Sequence, residues 1–131
     1  MKRISITSSV MAIIGVDWDQ APDVFTENHW SIPDQQPTAY GKSKTLAERA
    51  AWAFVNAMPE DERIELTTVC PSLIIGPTKV AKGFASGKIM DLFMNGTLPG
   101  GRLPQIMAGL VDVREVATAH VRCIERDEAQ G

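Results

Sequence analysis

An α/β fold built on a parallel sheet is predicted by three features of the chain. Short runs rich in β-branched and apolar residues, at 3–7 and 66–75, alternate with stretches of helical composition and spacing at 40–58, 85–95 and 112–124. A strand, a helix and a further strand in repeated succession need crossover connections, and these lay the strands parallel. At 131 residues the chain suffices for a single domain with its own core, not for two. Hydrophobic residues make up 44% and charged residues 22%, the ordinary balance of a soluble globular protein.

The first element, RISIT (3–7), carries Ile4, Ile6 and Thr7 and reads as a short strand ending at Ser8-Ser9. From Asp17 to Pro37 the chain is polar, with three prolines and two tryptophans, and reads as a long loop. Loops of that length in compact domains usually serve function. A helix is expected from about Tyr40 to Met58, rich in Ala, Leu, Lys and Glu and stopped by Pro59. The apolar core of IELTTVCPSLIIGP, 66–75, reads as a buried strand interrupted or ended at Pro71. A second helix over 85–95 ends at Asn95-Gly96. The last begins at Asp112, which with Glu115 has capping-box spacing, and Val113, Val116, Ala117, His120, Val121 and Ile124 continue its apolar face.

Charge and composition narrow the function classes. A net charge of −3 with no basic block leaves no electrostatic footprint for nucleic acid. No apolar stretch nears the roughly 20 residues that span a bilayer. The opening MKRISITSSVMAIIG could pass for a secretion signal, but Ser5, Thr7, Ser8 and Ser9 break its apolar run. Cys70 and Cys123 sit apart in apolar patterns and read as buried free thiols of a reducing compartment, so a cytoplasmic location is expected. His29 and His120 are isolated from each other and from both cysteines, and no metal site is expected.

Tyr40 and Lys44 are the informative pair. Four residues apart, they project from one side of a helix whose first turn has better helix formers to choose from than Tyr40 and Gly41. A free phenol, with a pKa of about 10, is a poor acid or base at neutral pH. A cation within a few ångströms favours the phenolate and makes such a group usable. A strand ending in ITSS supplies a hydroxyl able to bond a carbonyl oxygen, although Ser-Ser after a strand is also ordinary turn chemistry.

With ITSSVMA (6–12), YGKSKTLAERAAWAF (40–54), LTTVCPSLIIGP (66–77) and LVDVREVATAHV (110–121) in that order, the chain resembles the extended short-chain dehydrogenase/reductase family. The likeness is to its dihydroflavonol-reductase-like and cinnamoyl-CoA-reductase-like branch in the NAD-dependent epimerase/dehydratase superfamily. The resemblance implies a fold: part of a Rossmann-like parallel sheet with the small substrate-binding region, as one partial domain over residues 1–131. It also implies roles. Ser9, with Ser8 as the alternative, polarises the substrate carbonyl; Tyr40 is the proton donor; Lys44 assists Tyr40 and holds the nicotinamide ribose. The backbone of Pro71, Ser72, Leu73 and Ile74 lines the nicotinamide face, and Ser86 aligns with a cofactor-contacting serine.

The implied cofactor is NADP, or NAD, and the implied reaction is reduction of an aldehyde or ketone. A sugar-nucleotide epimerase or hydroxysteroid dehydrogenase would use the same Ser-Tyr-Lys set, and an inactive interaction module is the alternative from another class. The family opens with a G-x-x-G-x-x-G turn that receives the pyrophosphate. None of the ten glycines here is so arranged, and the chain starts at what would be the family's fifth strand, as a C-terminal portion would. Open sheet edges then lead one to expect self-association or a homodimer. The asparagine that dihydroflavonol reductases carry past the serine is replaced by the Ala12-Ile13-Ile14 neighbourhood, which favours a simpler or more apolar carbonyl.

Four further features have plain explanations. GFASGK (83–88) is one residue short of a phosphate loop, with Ile89 where a hydroxyl should follow, and reads as a loop entering a helix. Asp112 reads as a cap rather than a catalytic carboxylate. His120, amid apolar residues, reads as packed. Trp18 and Trp30 could floor a substrate pocket or simply anchor their loop.

Overall fold

The computed structural model describes residues 2–17, 19, 21–80, 85–97 and 109–129. Trp18 and residues 83–84 of GFASGK lie outside these. Among the described residues, four strands and three α-helices follow in the order β1 (Arg3–Thr7), α1 (Ala39–Asn56), β2 (Glu65–Val69), β3 (Leu73–Ile75), α2 (Ala85–Met94), β4 (Leu110–Asp112) and α3 (Val113–Glu125). The α/β class and the parallel pairing are as expected: β1 lies parallel to β2 with Ile4 opposite Leu66, and β3 lies parallel to β4 with Ile74 opposite Val111.

The strands form two separate two-stranded sheets. The division falls just after Pro71, which has no N–H to donate to a ladder: its carbonyl still accepts from the Val10 N–H at 3.0 Å on the β1 side, whereas the Leu73 N–H donates to the Gly109 carbonyl at 3.2 Å on the β4 side. The apolar run 66–75 therefore serves one sheet before the proline and the other after it.

Period-two alternation assigns the faces of the β1–β2 sheet. Ser5, Thr7 and Thr67 turn to the C-terminal elements, where Ser5 and Thr7 meet His120 of α3 and the Thr67 hydroxyl donates to the Ala129 carbonyl at 2.6 Å. Thr68, offset by one residue, meets Glu48 of α1. The sheet is thus a middle layer between α1 and α3. Leu66, Val55, Ala12 and Val116 are the buried apolar residues among those described. Arg3 ties β1 to its surroundings through ion pairs with Glu65 and Asp127 and a 3.1 Å bond to the Ile124 carbonyl.

Helix ends obey local chemistry. Thr38 caps α1, its hydroxyl accepting from the Gly41 N–H at 3.1 Å. Thr38→Ala should therefore cost about 1 kcal/mol of stability, read as a lower urea midpoint at unchanged slope. Gly96, at φ +64°, closes α2 in the left-handed conformation that glycine tolerates.

Asp112 caps α3 by accepting from the Arg114 N–H at 2.8 Å, so the capping explanation holds. The Arg114 guanidinium and N–H hold its carboxyl well below the usual range, at about 2. A depressed carboxyl stabilises the fold above its ordinary value, and that contribution disappears as pH falls toward 2. Asp112→Ala should lower the urea midpoint at pH 6, and the gap from the parent chain should shrink as the titration descends from about pH 4 to about pH 2.

Candidate active site

The mouth of α1 is built so that Tyr40 can stand there. Thr38 supplies the cap, Ala39 opens the helix, and Tyr40 follows with 57% of its surface exposed. Gly41 faces inward and is buried. A Cβ there would fall 2.3 Å from Gln36 Oε1 and 3.3 Å from the Met11 methyl, so its absence lets the helix mouth close on the loop. The Gln36 carboxamide lies between Gly41 and Gly15, and its nitrogen faces the Gly15 carbonyl at 3.4 Å.

Lys44 is the joint of the site. Its ammonium lies 5.9 Å from the centre of the Tyr40 ring, within cation–π range. It also donates to the Thr7 carbonyl at 3.2 Å, at the end of β1 and immediately before the serine pair. The predicted helical juxtaposition of Tyr40 and Lys44 is therefore present, and Thr7 adds a fixed point that the sequence did not indicate.

The two serines differ. Both are buried. Ser8 donates its hydroxyl proton to the Glu48 carboxylate. Ser9 caps the short 3₁₀ turn Val10–Ala12, its oxygen accepting from the Met11 N–H at 3.2 Å. Pro71 meets this turn through the Val10 N–H, which brings the start of the Pro71–Ile74 segment beside Ser9.

The other expected cofactor residues lie farther along. The Ser72 hydroxyl donates to the Gly109 carbonyl, which also accepts from the Leu73 N–H at 3.2 Å. Ile74 and Ser86 share the wall of a cavity of about 200 Å³ with Pro77, Val80 and Val113. A larger cavity, about 400 Å³, is lined by Ile13, Trp30, Glu48, Trp52 and Cys70 among others. Neither cavity is lined by Ser9, Tyr40 or Lys44.

Trp30 therefore does line a cavity. It also anchors its loop, because Arg49 stacks on its indole at 5.3 Å and donates to the Ser31 carbonyl at 3.1 Å. Ser31, fully buried, completes the tie through a hydroxyl bond of 2.7 Å to the Met11 carbonyl.

Two assignments need amendment, and one residue was missed. His120 is hydrogen-bonded rather than merely packed: Nδ1 meets the Ser5 hydroxyl at 2.7 Å and Nε2 the Thr7 hydroxyl at 2.8 Å. Cys70 and Cys123 are free thiols, but half-buried rather than buried. Burial, followed by the Glu48 charge, raises the Cys70 pKa, which makes this thiol a poor nucleophile. Glu48 itself went unnoticed in the sequence, although Tyr40, Lys44, Glu48 and Trp52 recur at every fourth position.

No family model matches the chain. It is 33% identical along its whole length to cinnamoyl-CoA reductase CAD2 of Medicago truncatula, covering 39% of that protein. It is 29% identical to the NADPH-dependent methylglyoxal reductase GRE2 of Saccharomyces cerevisiae, again along its whole length and covering 42% of that protein. The structure of Gre2 from Candida albicans in complex with NADPH superposes with a TM-score of 0.79 at 28% identity, over the whole of this chain and 42% of that one. The chain thus spans about two-fifths of the relatives it matches. It is related to the reductases of the extended short-chain dehydrogenase/reductase family, and its fold is part of theirs.

Proposed function

We propose that this relative of the cinnamoyl-CoA-reductase-like enzymes is the carbonyl-reducing part of an NADPH-dependent reductase of small aldehydes or ketones, a single partial domain whose catalytic residues are Ser9, Tyr40 and Lys44. One observation carries the reading: the Lys44 ammonium stands between the Tyr40 ring and the Thr7 carbonyl, at the strand end that delivers the serines. An acid and a cation able to assist it thereby stand at the end of the strand that leads into the two serines, which supports the assignment of Ser9 as their hydroxyl partner.

The residues present suit the nicotinamide end of the cofactor. An ammonium has three protons, and Lys44 spends one on Thr7, leaving two for ribose hydroxyls. Nothing among the 131 residues has the glycine pattern that receives a pyrophosphate. When bound, the cofactor supplies a hydride. The Ser9 hydroxyl donates to the carbonyl oxygen and polarises it. As negative charge develops on that oxygen, Tyr40 transfers its phenolic proton there, and the product is the alcohol. Lys44 stabilises the phenolate that remains, which solvent then reprotonates.

The test joins a family member's N-terminal half, with its glycine-rich segment, ahead of Met1; it follows NADPH oxidation with methylglyoxal and an aromatic aldehyde, and by NMR the isomerisation of a nucleotide sugar in the presence of NAD. Turnover of the aldehydes but not the nucleotide sugar supports the reading. Activity only with the nucleotide sugar replaces it with an epimerase. The 131-residue chain by itself is expected to bind NADPH weakly or not at all and to show no turnover, because none of its ten glycines forms the phosphate-binding pattern. Titration calorimetry checks this; a micromolar dissociation constant from a monomeric sample would contradict it.

A further inference from the structure

Glu48 is a buried carboxylate that the proposed chemistry leaves unused. It is 7% exposed and sits one helical turn beyond Lys44. Its Oε1 accepts from the Thr68 hydroxyl at 2.9 Å and the Trp52 indole N–H at 3.4 Å. Its Oε2 accepts from the Ser8 hydroxyl and from the Cys70 thiol at 3.5 Å. An ionised carboxylate only accepts, and a buried one needs its lone pairs filled. Here the donors come from the end of β1, from β2 and the residue after it, and from α1 itself.

A serine hydroxyl has one proton to give. Ser8 gives its proton to Glu48. Ser9 uses its oxygen as the acceptor for the Met11 N–H, and among the described residues its proton has no acceptor. Two neighbouring residues of identical chemistry are thus made unlike by one carboxylate.

We propose that Glu48 is a positioning residue that decides which of the two serines serves the carbonyl: it engages the Ser8 proton and leaves that of Ser9 to the substrate. The inference rests on the carbonyl-reductase reading for the role of Ser9, while the lock on Ser8 stands on geometry alone. The same contacts hold α1 against the strand ends, so the helix carrying Tyr40 and Lys44 is fixed relative to the serine pair by the residue that sorts the serines.

The test needs no cofactor. In the unaltered 131-residue chain, proton NMR should find the Ser8 hydroxyl in slow exchange with water and close to the Glu48 side chain, and the Ser9 hydroxyl in fast exchange. Packing alone would not create that contrast. In a Cys123→Ser chain, Glu48→Gln should move the alkylation of Cys70 to lower pH, because a negative charge beside the thiol has gone. By urea unfolding, Ser8→Ala should lower the folding equilibrium constant about tenfold in the parent chain and less than about twofold once Glu48 is Gln.

Should Glu48→Gln fail to fold, the hydroxyl measurement on the unaltered chain still decides. Equal exchange at the two serines, or strictly additive substitutions, would overturn the proposal and return Ser8 to contention as the carbonyl donor, with the reductase reading intact. Absence of turnover in the chimera would remove the reductase reading and leave the Ser8 lock untouched.

Discussion

Tyr40→Phe, in the chimera carrying a glycine-rich segment, is expected to cut aldehyde turnover by about 100-fold or more, the usual weight of a positioned acid. NADPH affinity should change little, because the substitution removes one oxygen and keeps the ring. The effect belongs in kcat rather than KM, since the proton moves only as charge develops on the substrate oxygen. Folding should be nearly unaffected, given that Tyr40 is more than half exposed and its ring contact is with Lys44. Steady-state kinetics with the aldehyde varied settle it. Retention of more than a third of the parental turnover would remove Tyr40 from the acid role.

Lys44→Ala is expected to harm two quantities at once, because one ammonium group serves the phenol, the Thr7 carbonyl and the cofactor ribose. A hydrogen bond to a charged group contributes about 1.5–3 kcal/mol, so NADPH affinity should fall about tenfold or more, and turnover should fall further as the phenolate loses its cation. Lys44→Arg should not rescue it. A planar guanidinium differs in reach and donor geometry from a compact ammonium seated between a ring and a carbonyl. Fluorescence titration of NADPH beside the kinetics separates the two losses. If affinity and turnover both stay within twofold of the parent, Lys44 is an ordinary surface cation.

What the sequence disclosed and what it hid divide along a physical line. The Tyr40–Lys44 pair was legible because helical spacing is local: four residues along a predicted helix bring two side chains together whatever surrounds it. The strand at Arg3–Thr7, the stop at Gly96 and the Asp112 cap were legible for the same reason, each following from a few adjacent residues. The division of 66–75 between two sheets was not legible, since it depends on Pro71 bonding to Val10 while Leu73, two residues on, bonds to Gly109.

The Glu48 hub depends on donors 20 and 40 residues away in the chain, at Thr68 and Ser8. His120 reads as apolar packing because its hydroxyl partners lie at the opposite end of the sequence. Gly41 looked like a poor helix former; the reason for it is the Gln36 carboxamide packed against it. In each case local chemistry proposed the element, and a distant contact decided the side chain's task.

The central claim is that Ser9, Tyr40 and Lys44 together reduce a carbonyl, and isotope transfer tests it most directly. The chimera is mixed with NADPH deuterated at the nicotinamide C4 position and with an aldehyde, and the alcohol is analysed by mass spectrometry and NMR. The account predicts one deuterium on the carbinol carbon with the parent residues in place. In the Ser9→Ala, Tyr40→Phe, Lys44→Ala triple variant, almost none should appear even at NADPH concentrations high enough to offset the weaker binding. Label reaching the carbinol carbon as fast in the triple variant as in the parent would contradict the account, because the carbonyl would then be activated by residues other than these three.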